Sequence, residues 1–195
     1  MQPLLPVAVV WAGLSVLHVG DSHVASGLTA GLRAHFAAEG ARYRSDYWVS
    51  ASTARWAYSD RLRALFRRHR PDVVILTLGS NEARYPNRNR YGEHMTRLLR
   101  RIGDRTCYWI GPPTYDRFDV GRIVEWQREF AGRCRYFDSR GIDAPRGHTR
   151  LHFTREGGLA WADAIWAWMN SASGENGEGG VQLSAATPRA RPILQ

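Results

Sequence analysis

The chain has 195 residues, 44% of them hydrophobic, which suits one domain long enough to bury a core. All 27 of its basic residues are arginine, and the formal net charge is +9. Such one-sided usage reads as a GC-rich genome. The arginines are scattered, and the dense knot at Arg67, Arg68 and Arg70 falls at a helix end, where cations suit the dipole, so nucleic acid is not an expected partner.

Residues 1–13 read as an apolar, leader-like extension without the basic start of a secretory signal. Pro3 and Pro6 interrupt it, and a membrane span needs about 20 apolar residues, so stable membrane insertion is not expected. Val16 to Leu28 is a short apolar strand, a tight turn carrying Gly20, Asp21, Ser22 and His23, and the opening of a helix. Leu28, Leu32 and Phe36 recur at helical spacing, and Gly40 ends that helix. Tyr43 to Val49 is a second strand, followed by the small polar run Ser50-Ala51-Ser52-Thr53. Trp56, Leu62, Leu65 and Phe66 line a second helix that stops before Pro71.

Asp72 to Leu78 is nearly unbroken in β-branched and apolar residues, the mark of a parallel strand covered on both faces. The loop Gly79-Ser80-Asn81-Glu82 follows it directly. Met95, Leu98, Leu99 and Ile102 form a third helical stripe. Cys107 to Ile110 is a fourth strand closed by Gly111-Pro112-Pro113. Val120 to Phe130 reads as a fourth helix and Arg135 to Asp138 as a fifth strand. A polar loop then passes through His148 and His152 into a last helix with Leu159, Trp161, Ile165, Trp166 and Met169. From Ser171 the periodicity is lost, so residues 171–195 read as a disordered tail after a domain at 14–170.

Strands alternating with helices predict an α/β domain with a parallel sheet, whose ligand site lies beyond the carboxyl ends of the strands. The loops at Ser22, Ser50 to Thr53, Gly79 to Glu82 and Gly111 to Thr114 gather there, and the loop carrying His152 can reach the same edge. A serine hydroxyl becomes a nucleophile when an imidazole lies within hydrogen-bond reach. His152, fixed just ahead of an apolar helix, is the candidate base, with His148 as the nearby alternative. His23 is too close to Ser22 along the chain to be the obvious base, and His18, inside the apolar strand, reads as a satisfied core residue. For a developing oxyanion, the amide of Ser22, the turn at Ser50 and the side-chain amide of Asn81 are candidate donors. No Cys/His cluster has zinc-ligand spacing.

Gly20-Asp21-Ser22, Gly79-Ser80-Asn81-Glu82 and His152, in that order, resemble the blocks of the SGNH, or GDSL-type, esterase and lipase superfamily. The likeness runs from about Leu14 to Met169 and implies a flavodoxin-like three-layer α/β/α sandwich around a five-stranded parallel sheet. It implies hydrolysis of carboxylic esters without metal or other cofactor: Ser22 as nucleophile, His152 as base, and an oxyanion hole from Ser22, Ser50 and Asn81. Ser50 stands where the family has a glycine, and so is expected to keep the N–H in an ordinary backbone conformation. Glu82 stands for the family's Asp. Thr149 occupies the position of the acid that orients the imidazole, which leaves Asp143, from the preceding loop, or a backbone carbonyl to do so. In such a fold Cys107 and Cys134 precede neighbouring strands, where a disulfide and a pair of buried thiols are both compatible with the sequence. A disulfide would favour a periplasmic or secreted location. The expected substrate is a small-molecule or carbohydrate ester. The same residues would also serve an O-acetyltransferase, and the threonine at 149 with the chain's eight tryptophans suits a non-catalytic carbohydrate- or partner-binding domain.

Overall fold

In a computed structural model, which describes residues 10–25, 27–84 and 87–171, the strands are β1 (Ser15–Gly20), β2 (Arg42–Tyr47), β3 (Val73–Thr77), β4 (Thr106–Ile110) and β5 (Arg135–Phe137). They form one five-stranded sheet in the order β2-β1-β3-β4-β5, every pairing parallel. β1 and β3 are buried at every position, as central strands covered on both faces must be. The helices are α1 (Gly27–Ala38), α2 (Thr53–Tyr58), α3 (Asp60–His69), α4 (Arg88–Ile102), α5 (Gly121–Phe130) and α6 (Arg155–Asn170).

Alternate side chains of each strand point to opposite faces, and this divides the core in two. Val16, Ile75 and Tyr108 pack under Leu28, Leu32 and Phe36 of α1 and Trp161, Ile165 and Met169 of α6. Leu17, Val74, Leu76 and Trp109 pack against Trp56, Leu62, Met95, Leu98 and Val124 from α2 to α5. The result is a three-layer α/β/α sandwich of the flavodoxin type. Strand order reverses direction beside β1, between β1 and β3, which is where such sheets open a crevice at their carboxyl ends.

Two close approaches explain why α6, and the loop ahead of it, sit where they do. A Cβ on Gly27 would lie 2.1 Å from the Arg155 carbonyl oxygen, and the Gly27 Cα is 2.8 Å from where a Cβ on Gly158 would be. Without side chains at both positions α1 and α6 touch backbone to backbone. At the end of β1, a Cβ on Gly20 would lie 2.1 Å from the Thr77 carbonyl oxygen, so only glycine lets β1 turn this close to β3.

Three expectations are revised. The single second helix is two, because Ser59 ends one and starts the next. Its N–H donates to the Arg55 carbonyl and its hydroxyl accepts from Arg61 N–H, a local cap that competes with helix continuation. Val120 caps α5 instead of lying in it. The amino-terminal boundary also moves: Trp11 is buried in the α1/α6 core, donates 2.8 Å to Asn170 Oδ1, and belongs to the domain. Residues 1–9 of the expected extension and 172–195 of the expected tail lie outside the described residues. Cys107 and Cys134 are joined by a disulfide at the amino ends of β4 and β5. Among the described residues no helix is long and apolar enough to cross a membrane.

Candidate active site

At the carboxyl end of β1 the Asp21 N–H donates 3.1 Å to the Thr77 carbonyl, and Ser22–Val24 form a single 3-10 turn. Asp21 caps that turn, its Oδ1 accepting 2.9 Å from the His23 N–H. Ser22 is thereby half-buried at the crevice, with its Oγ 2.9 Å from His152 Nε2. The loop that brings His152 there is tightly closed. Arg146 and Phe153 form an isolated antiparallel bridge, Gly147 N–H donates 2.9 Å to the His152 carbonyl, and Thr154 N–H donates 2.9 Å to the Pro145 carbonyl. Thr154 then caps α6 by accepting from Gly157 N–H. His152 is half-buried, and burial holds its pKa below the ordinary imidazole value. Burial thus favours the uncharged ring, the form in which an imidazole can accept a proton from a serine hydroxyl.

The loop after β2 is tied to the same turn. Trp48 N–H and Trp56 Nε1 both donate to the Gly20 carbonyl, at 3.1 and 3.0 Å. Asn81 Nδ2 donates 2.9 Å to the Ala51 carbonyl, which leaves its second N–H to give. Glu82 Oε1 accepts from the Thr53 N–H at the start of α2, so this carboxylate joins the loops after β2 and β3. Ser50 departs from the expected ordinary backbone. Its φ is 58°, the left-handed region that glycine adopts freely, and a serine held there carries strain. Among the described residues neither Ser22 N–H nor Ser50 N–H makes a hydrogen bond within the protein.

Beneath the pair lies a buried polar network. The His23 ring lies against His152, tilted by 35° with centroids 4.6 Å apart, and the Tyr115 hydroxyl is 2.8 Å from His23 Nε2 and 2.7 Å from Ser80 Oγ. Burial, with the nearby His152 and Arg146, pushes the His23 pKa down to about 3, so it is neutral. Asp21 is fully buried, and burial pushes its pKa up to about 7. The His23 N–H and the Ser80 hydroxyl beside it offset part of that rise. Glu82 is likewise raised by burial.

Asp143 and Thr149 are exposed, and among the described residues neither is hydrogen-bonded to His152. Asp143 contributes to the charge around Arg146, and His148 is also exposed. His18 is fully buried with both nitrogens held, by the Tyr43 hydroxyl at 2.7 Å and Thr77 Oγ1 at 2.8 Å. Among the described residues no group of three or more His, Cys, Asp or Glu side chains is arranged to hold a metal ion. Sequence reasoning missed His23, Tyr115 and Ser80. His23 is adjacent to Ser22 in sequence, yet in the fold its ring lies 4.6 Å from that of His152.

The sequence matches no protein-family model and no curated protein. The structure, however, is similar to several solved ones. An alpha/beta hydrolase enzyme from the metagenome of Lake Arreo, Spain, aligns with a TM-score of 0.66 at 19% identity, over 82% of this chain and 97% of that one. The psychrotrophic esterase EstA from Pseudoalteromonas sp., solved inhibited by monoethylphosphonate, aligns at 0.59 and 17% identity over 80% and 98%. An acetylxylan esterase from Geobacillus stearothermophilus aligns at 0.57 and 13% identity, over 84% of this chain and 95% of that one. The fold is shared with these hydrolases and esterases.

Proposed function

We propose that the chain is a serine-dependent carboxylic ester hydrolase with Ser22 as nucleophile and His152 as general base. The observation that carries this reading is the 2.9 Å contact between Ser22 Oγ and His152 Nε2, at the carboxyl edge of a sheet whose fold is shared with esterases. His152 Nε2 takes the proton as Ser22 Oγ bonds to the ester carbonyl carbon. The N–H groups of Ser22 and Ser50, with Asn81 Nδ2, hold the resulting oxyanion. The tetrahedral species collapses, the bond to the alcohol oxygen breaks, and that oxygen leaves with the proton from His152. Water then attacks the acyl carbon while His152 takes one of its protons. Ser22 Oγ leaves, regains that proton, and the acid is released.

The alcohol side of the substrate is assigned to a carbohydrate and the acyl group to acetyl. Tyr47 and Val49 are exposed beside Ser50, and the Arg55 guanidinium lies 3.5 Å over the Trp48 ring. Apolar surface and a cation thus stand together beside the Ser50 turn. Trp161 is spent in the core, and Trp166 and Trp168 pack against it, so they do not contribute to that surface. Two of the structural neighbours are named as acetylxylan esterases. The test is turnover of p-nitrophenyl acetate and of an O-acetylated oligosaccharide by wild type and Ser22→Ala. Loss of about 10³-fold or more in kcat on both is expected; full activity in the variant would rule the mechanism out. Product analysis with an added sugar acceptor separates release of acetate from its transfer.

A further inference from the structure

His152 is hydrogen-bonded through its side chain at one nitrogen among the described residues, yet a catalytic group must be held within about 0.5 Å of its productive geometry. What lies against its ring is another imidazole. The His23 and His152 centroids are 4.6 Å apart with the planes inclined by 35°. His23 is itself immobilised: it is 6% exposed, the Tyr115 hydroxyl meets its Nε2, and the edge of Trp161 faces it with centroids 6.2 Å apart. Tyr115 is in turn fixed by Ser80 on the loop after β3. Arg146 lies 4.4 Å over Phe153 and 5.8 Å from the Tyr115 ring, so it bridges the His152 loop to the same cluster.

We propose that His23 is the positioning residue for the general base: clamped by Tyr115 and Ser80, its ring lies against His152 and keeps Nε2 directed at Ser22. The proposal rests on reading Ser22 and His152 as nucleophile and base. It assigns to a neutral ring, packed at a tilt against His152, the orienting task for which Thr149 offers no carboxylate. The two solutions differ in chemistry. A carboxylate orients an imidazole and also stabilises its protonated form, whereas a neutral ring orients it and excludes water without adding negative charge. The groups that face His23 are Asp21 from its own turn, Tyr115 from the loop after β4, and Arg146 and His152 from the loop before α6. Arg146 and His152 both oppose a positive charge on His23. The ring therefore stays neutral through the catalytic range and does not repel His152 as it takes up a proton.

The test uses the intact chain, with His152 followed by NMR titration of its ring nitrogens and kcat and KM measured on p-nitrophenyl acetate. In His23→Ala, kcat is expected to fall by about 10- to 100-fold with KM nearly unchanged, because the base is misplaced while the substrate contacts remain. The His152 titration should move up toward the ordinary imidazole value as water replaces the ring. His23→Phe restores a ring to the stack and should recover most of kcat and the low titration. Tyr115→Phe, which frees His23 without removing it, should shift both readouts in the same direction by less, and it decides the matter if alanine at 23 prevents folding. An unchanged His152 titration and kcat in His23→Ala, or in Tyr115→Phe where the alanine variant does not fold, would overturn the proposal. So would a phenylalanine variant as impaired as the alanine one. Absence of ester turnover in wild type would instead refute the hydrolase reading, and the titrations would still test the stack.

Discussion

The two edges of the sheet treat their polar groups in opposite ways. At the amino edge the groups are paired: Ser15 N–H donates to Asp72 Oδ2 at 2.8 Å, Ser15 Oγ to the His69 carbonyl, and Arg105 to the Pro71 and Ile102 carbonyls. The Cys107–Cys134 bond closes the same edge covalently. At the carboxyl edge the carboxyls of Asp21 and Glu82 are buried with their pKa values raised, and Ser50 is held at φ 58°. Burial disfavours the charged form of both carboxyls. The histidines show the same contrast. His18, in the middle of β1, has both nitrogens bonded and its pKa is driven down to about 3, so it is inert packing. His152, at the edge, keeps water access and one firm partner. Stability is concentrated at one end of the strands and chemical readiness at the other.

Substitutions can break that contrast. The largest effect on chemistry beyond the Ser22–His152 pair is expected from Asn81→Ala, which removes a proposed oxyanion donor: kcat should fall by about 10²- to 10³-fold with little change in KM. Steady-state kinetics check it, and an unchanged kcat would remove Asn81 from the mechanism. At the opposite edge, Cys107→Ser with Cys134→Ser opens a loop closed across a sequence separation of 27 residues. Stability to urea should drop by about 3 kcal/mol, while kcat on the fully folded fraction stays near wild type. A large kcat loss there would show that the two edges are not independent.

A further effect is a pH dependence. The Asp21 pKa is raised from 3.8 to about 7 in the folded state, so the folded protein binds this proton more tightly than the unfolded chain does. The stabilising contribution is therefore complete below about pH 4 and is lost as pH rises through about 7. Asp21→Asn has no charge to bury, so its stability relative to wild type should rise steadily between those two values. Parallel urea titrations at pH 4 and 8 check this; a difference that is constant with pH would mean Asp21 is ionised and accommodated as such. For activity, the acid limb should lie below the ordinary histidine value, because burial lowers the His152 pKa and the base works unprotonated.

Much of this was legible in the sequence because it is local. The apolar run from Val73 to Leu76 can only be a covered strand, and the stripe of Met95, Leu98 and Ile102 can only be a buried helix face. Ser22, Asn81 and His152 stand out in the sequence because each lies in a turn or loop that the strand pattern places at the carboxyl end of the sheet, and Thr149 stands where the resemblance puts an acid. What was not legible depends on contacts between distant residues or on backbone geometry. His23 and Tyr115 are 92 positions apart and meet only once the loop after β4 folds over the turn. The left-handed Ser50 cannot be read from a residue type that ordinarily avoids that region. The break at Ser59 was written as a Ser-Asp cap, yet the apolar pattern runs through it without interruption.

The central claim is that Ser22 is a nucleophile activated by His152. Intact mass spectrometry after treatment with a fluorophosphonate tests it without reference to any natural substrate. One adduct on Ser22 in wild type, none in Ser22→Ala, and much slower labelling in His152→Ala is the predicted result. Folded wild-type protein that stays unlabelled, or an adduct that persists in Ser22→Ala, would contradict it.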